Sequence, residues 1–182
     1  MQECPVRADI ITEQLNKSHM KQSQLLAEVM DKTRERTLDC IEQLKATDMH
    51  RVFECGDVEL NSAIWIIGHL SVTENWLLLR STGGEHVKIP WARTFGMGGS
   101  RPEKDAIPAL EELMGMLEEV HSRSLSHISS LTDAQLAEDN TTGFDMFGVR
   151  SKQDVIIHAI RHEGIHCGHL GWLMKLNGIK SI

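Results

Sequence analysis

The chain lacks any run of about 20 apolar residues, the length a membrane-spanning helix needs. Its opening stretch, MQECPVRADIITEQLNKSHMKQ, is polar and interrupted where a secretory leader would be apolar. It has no basic run, and its net charge is −7. That argues against nucleic acid or an anionic membrane surface as its main partner. The four cysteines, Cys4, Cys40, Cys55 and Cys167, include no CxxC pair. A chain of 182 residues buries about 70% of its unfolded surface and needs no disulfide for stability. These absences point to a cytoplasmic protein with reduced thiols. No internal repeat or low-complexity tract divides the chain, so residues 1–182 are expected to form a single domain.

Alternation of the kind that marks strands is also missing. Apolar residues instead recur every three or four positions. Leu26, Met30, Thr33, Thr37, Ile41 and Leu44 predict a helix from about Ser18, with a short lead-in near Ile10 to Leu15. Asn61 is a candidate cap for a second helix, NSAIWIIGHLSVTENWLLLRST, which ends at Gly83 and Gly84. A third is predicted from Asp105 to Ser130, with Leu113, Leu117, Val120 and Ile128 in its apolar stripe. Ser151 and Asp154 form an imperfect capping box for a fourth, which ends at Asn177 before Gly178. The expected fold is all-α, a four-helix bundle with a long loop between helices 2 and 3. That loop, GGEHVKIPWARTFGMGGSRPEK, holds five glycines, Trp91 and Phe95. Loops of this length are often functional. Here the loop either covers a pocket or is a surface connection whose glycines serve turns.

The last helix carries His158, His162, His166 and His169 at spacings of 4, 4 and 3. These steps return to nearly one face of an α-helix. Imidazoles four residues apart gain nothing from proximity when neutral and repel when charged. An i, i+4 pair is well suited to chelation, and a catalytic metal site wants a third ligand from another element. Helix 2 offers His69, set among Trp65, Ile66, Val72 and Trp76. A lone histidine in such a setting is more often a hydrogen-bonded core residue than a ligand. The residues alone therefore leave two readings open, a metal centre or a histidine-rich packing face.

His162-Glu163-Gly164-Ile165-His166 also matches HExxH, in which the glutamate acts as the general base of a zinc peptidase. The context argues against it. An extended motif would place glycine at 169 and histidine at 172, where the chain has His169 and Trp172. No acidic residue occurs after His166 to supply a distant third ligand. Glu163 is expected to make a salt bridge or hydrogen bond to a neighbouring element.

Two segments carry a family resemblance. WIIGHLSVTENWLL, with its Gly-His-Leu, and DVIIHAIRHEGIHCGHLGWLMKLNG, with His-x3-His-Glu-x2-His-x-Gly, resemble the second-helix and last-helix motifs of the DinB/YfiT-like superfamily of metal-binding helical bundles. The loop IPWARTFGMGGSRP is similar to a segment that many members place between helices 2 and 3.

The resemblance implies a divalent metal, zinc or nickel foremost, held by His69, His162 and His166 with water in the remaining positions. His158 is implied to stand behind the ligands. His169 replaces a frequent glutamine, Ile165 a common aromatic and Cys167 a common basic residue. Some relatives are S-transferases that use low-molecular-weight thiols such as bacillithiol or mycothiol. A metal-dependent thiol S-transferase acting on small electrophiles is therefore the first expectation. The alternatives are a metal-dependent hydrolase using bound hydroxide, and a non-catalytic metal- or ligand-binding stress-response protein. Three neutral histidines leave a charge of +2 uncompensated, which lowers the pKa of a bound water or thiol. Cys167 is expected to point about 100° away from His166 and to serve as a small buried hydrophobe. A homodimer is implied as well, with exposed apolar residues such as Leu25, Met49 and Met116 as candidate contacts.

Overall fold

The helical spacing of the apolar residues becomes four long helices in the computed structural model, which describes residues 20–96 and 102–180. Helix α1, Gln22–Leu44, buries Met30, Thr37, Ile41 and Leu44 along the expected stripe. The lead-in near Ile10 to Leu15, and Ser18 itself, lie outside the described residues. A two-residue hairpin follows, β1 Glu54–Cys55 paired antiparallel with β2 Val58–Glu59. Helix α2, Ala63–Glu74, continues through a π-helical turn, Asn75–Arg80. Its cap is Ser62 rather than Asn61. The Ser62 backbone is extended and its hydroxyl accepts the Trp65 N–H at 3.4 Å.

Helix α3, Leu110–Ser130, begins later than Asp105. Pro108 disfavours helical geometry at the preceding residue, and Ile107 is extended at φ −87° and ψ 125°. Only a 3-10 turn, Lys104–Ala106, precedes it. A short α4, Asp133–Ala137, leads to α5, Lys152–Leu176. The capping box of α5 is complete: Ser151 Oγ accepts the Asp154 N–H at 3.1 Å, and Asp154 accepts the Ser151 N–H at 3.0 Å. Gly178 follows with φ +76°, the left-handed position that glycine tolerates after a helix.

Helix α1 packs on α3 and α5, and α2 packs on the same two. The order around the bundle is therefore α1, α3, α2, α5, with α1 diagonal to α2. Ile67, Leu70, Leu113, Leu117 and Leu170 fill the centre with 1% exposure or less. Among the described residues, no helix is long and apolar enough to cross a membrane. Leu25 is exposed as expected, but Met49 is buried in the core, and its carbonyl accepts the Ile64 N–H at 3.0 Å. Met116 is half-buried against the segment that contains Val87 and Ile89.

Candidate metal centre

The bundle order places α2 beside α5, so His69 faces the last-helix stripe. The ring nitrogens of His69, His162 and His166 lie within 4.8 Å of one another. His69 Nδ1 donates to the Phe95 carbonyl at 2.7 Å. Because a carbonyl only accepts, the proton sits on Nδ1 and the lone pair on Nε2. That Nε2 is 3.2 Å from His162 Nε2. Trp65 stacks on the back of the His69 ring at 4.6 Å and 14°. His166 is held on its other side by His169, whose Nδ1 lies 3.4 Å from His166 Nδ1.

All three rings are neutral. Burial, and then the neighbouring histidines, depress His162 to about 4 and His166 to about 3. Burial lowers His69 against its bond to Phe95. Three unprotonated imidazoles with convergent nitrogens and no carboxylate among them are a donor set that suits a divalent transition-metal ion, zinc or nickel among them, with open positions. The group can hold such an ion.

The long loop delivers the Phe95 carbonyl. Asn75, at the start of the π turn, accepts the Val87 N–H at 2.8 Å and donates to the Val87 carbonyl at 2.9 Å. Val87 and Ile89 are buried, and Phe95 is fully so. A Cβ on Gly68 would meet the Phe95 ring at 2.5 Å. The glycine before His69 therefore lets the loop lie flat on α2. A glycine inside a helix costs stability, and at Gly68 the close approach of Phe95 requires it. The loop through Phe95 is thus an anchored segment rather than a mere surface connection.

Glu163 is turned away from this cluster. It is 1% exposed, and it accepts from Arg34 Nε at 2.5 Å and Nη2 at 2.7 Å. Arg34 Nη2 also bonds Glu74 at 2.6 Å, and Nη1 reaches the Leu117 carbonyl at 3.3 Å. Glu74 accepts from His121 Nδ1 at 2.9 Å, and His121 Nε2 lies 3.3 Å from Asp31. One guanidinium thus touches all four long helices. Burial works to raise Glu74, but Arg34 and His121 outweigh it and hold the carboxyl below its usual range. Burial likewise works to lower His121, and Glu74 outweighs it, so His121 is raised. The glutamate of the HExxH match is a structural anion, as its context in the sequence implied. Nothing in the sequence assigns this role to Arg34, Glu74 or His121, because a charged residue near an apolar stripe reads as solvated.

His158 lies at the rim, its ring 6.3 Å from that of His162. It sits between Phe144 at 5.3 Å and Phe147 at 5.9 Å, and its buried Nδ1 has no hydrogen-bond partner. A cavity of about 550 Å³ opens beside His169, walled by Leu60, Ile66, Trp172 and Leu173 with Glu54 at its edge. Cys167 is half-buried against the core, less enclosed than expected.

A profile of the DinB superfamily matches residues 29–170. No curated protein matches the chain. The fold is similar to that of a conserved protein from Enterococcus faecalis seen in a crystal structure, with a TM-score of 0.64 at 14% identity. The similarity covers 85% of this chain and 95% of that one. The chain belongs to the DinB superfamily.

Proposed function

We propose that His69, His162 and His166 bind one divalent metal ion, zinc or nickel, and that the protein is a transferase joining a low-molecular-weight thiol to a small electrophile. The observation that carries this reading is the convergence of three neutral imidazoles within 4.8 Å. A bound ion would lower the pKa of a thiol or water at its open positions. The protein's own groups do the rest. Phe95 fixes the His69 tautomer, and Trp65 and His169 hold the flanking rings. The apolar cavity beside His169 accommodates the electrophile's carbon skeleton and keeps water from its reactive atom.

The hydrolase alternative would rest on metal-bound hydroxide alone, with no carboxylate among the described residues to assist it. Glu163, the acidic residue in the motif, is committed to Arg34. A homodimer remains part of this reading, with Leu25 on α1 and Ile165 on α5 as exposed apolar contacts. Light scattering tests it.

Metal-loaded protein incubated with an electrophile such as monobromobimane, with and without bacillithiol, tests the chemistry. Consumption only with both metal and thiol supports the transferase. Multiple turnovers without added thiol, beyond alkylation of the protein's own cysteines, would establish the hydrolase, and turnover in neither arm would leave a binding protein.

A further inference from the structure

Cys40 and Cys167 are 127 positions apart in sequence (167 − 40) but share one cavity of about 260 Å³ between α1 and α5. Cys40 is 2% exposed in the core, and Cys167 packs against the same cluster. Cys167 lies within hydrogen-bonding reach of the Cys40 thiol, and burial, then Cys167, pushes Cys40 up to about 11. Their accessibility differs. Cys167 is half-buried, and Gly168 and Gly171 beside it face open space. Arg36, ion-paired with Asp39 at 3.8 Å, and Lys175, whose Nζ lies 5.1 Å from the Trp172 ring centre, line the same opening.

We propose that Cys40 and Cys167 form a redox-active dithiol that a small anionic disulfide oxidises to an intrachain disulfide. The order follows from access. The Cys167 sulfur attacks one sulfur of the incoming disulfide, whose S–S bond breaks. Half of it leaves as a thiol with the proton released by Cys167, and the other half stays on Cys167 as a mixed disulfide. The Cys40 sulfur then displaces that second half, which leaves as a thiol with the Cys40 proton. Two protein thiols lose two electrons and two protons, and the oxidant gains them. The carboxylates of the oxidant meet Arg36 and Lys175 at the mouth. The link fastens α1 to α5 one residue from His166. This site stands apart from the metal chemistry proposed above and does not depend on it.

The test uses the full chain with Cys4→Ser and Cys55→Ser, leaving the pair as the thiols present. Reduced protein is treated with glutathione disulfide, alkylated under denaturing conditions and weighed by mass spectrometry. The expected product has lost two hydrogen atoms and takes up no alkylating agent. A tryptic fragment joining the Cys40 and Cys167 peptides identifies the link. Cys40→Ala added to this background should arrest as the glutathione adduct on Cys167. Two alkylated thiols, or an adduct that persists while Cys40 is still alkylated, would overturn the proposal. Should the Cys40→Ala chain not fold, the mass of the parent decides alone.

Discussion

Replacing Arg34 by Met keeps much of the side-chain volume and removes the cation from the centre of the bundle. Two buried carboxylates, Glu74 and Glu163, then lose the guanidinium that binds both. Breaking a buried ion pair from one side costs about 3–5 kcal/mol, most of it the penalty on the charge left behind. With both partners 2% exposed, the upper half of that range applies, about 4 kcal/mol. Domains of this size have urea slopes of about 2 kcal/mol per molar. The unfolding midpoint, followed by far-ultraviolet circular dichroism at pH 7.5, should therefore fall by about 2 M. Arg34→Met combined with Glu74→Gln and Glu163→Gln should recover at least half of the loss, because neutral amides carry no stranded charge. Lowering the pH to 5 should narrow the gap between wild type and the single variant, because burial, which works to raise Glu74, is no longer opposed by Arg34. A midpoint shift under about 0.5 M for Arg34→Met, or no recovery in the triple variant, would refute the idea that this arginine neutralises the bundle's centre.

Gly68→Ala drives a methyl group into the Phe95 ring at 2.5 Å, so the loop must lift and withdraw its carbonyl from His69. Overpacking of this kind costs about 1–3 kcal/mol, and loss of an orienting hydrogen bond weakens metal binding by about 10- to 100-fold, readable by competition with a chromogenic chelator. Phe147 is in the left-handed region at φ 58° and ψ 27°, and the residue is 78% exposed. Phe147→Gly should raise stability by up to about 1 kcal/mol in urea unfolding as the strain is released, and a loss above 1 kcal/mol would show that the Phe147–His158 stack outweighs it. For the metal-free chain, His162 and His166 bind fewer protons folded than unfolded, since their folded values lie below the ordinary 6.5. Stability must then fall as the pH drops below about 6.5, by up to about 1.4 kcal/mol per pH unit for each group, and His166→Asn should flatten that slope. An unchanged slope in the variant would contradict neutral burial of this ring.

The helices and the histidine face were legible because their signals are periodic. Spacings of 4 between His158, His162 and His166 survive folding as a shared face. The bundle order that brings His69 to that face was not readable from periodicity, since it depends on which helices become neighbours. The family resemblance supplied that pairing. Helix starts were off by a few residues where a local rule competed, as at Pro108 before α3 and Ser62 before α2. The Phe95 carbonyl could not be seen at all, because a backbone group carries no residue-type signal. Gly68 was its one visible trace. Arg34, Glu74 and His121 come from three helices, and each looks like a surface residue until the other two are in place.

If His69, His162 and His166 together hold one metal ion, the metal content of the chain depends on each of them. Elemental analysis of the tag-free protein, alongside His162→Ala and His166→Ala, should find close to one zinc or nickel ion per chain in the wild type and almost none in either variant. Full occupancy in both variants would contradict that ligand set.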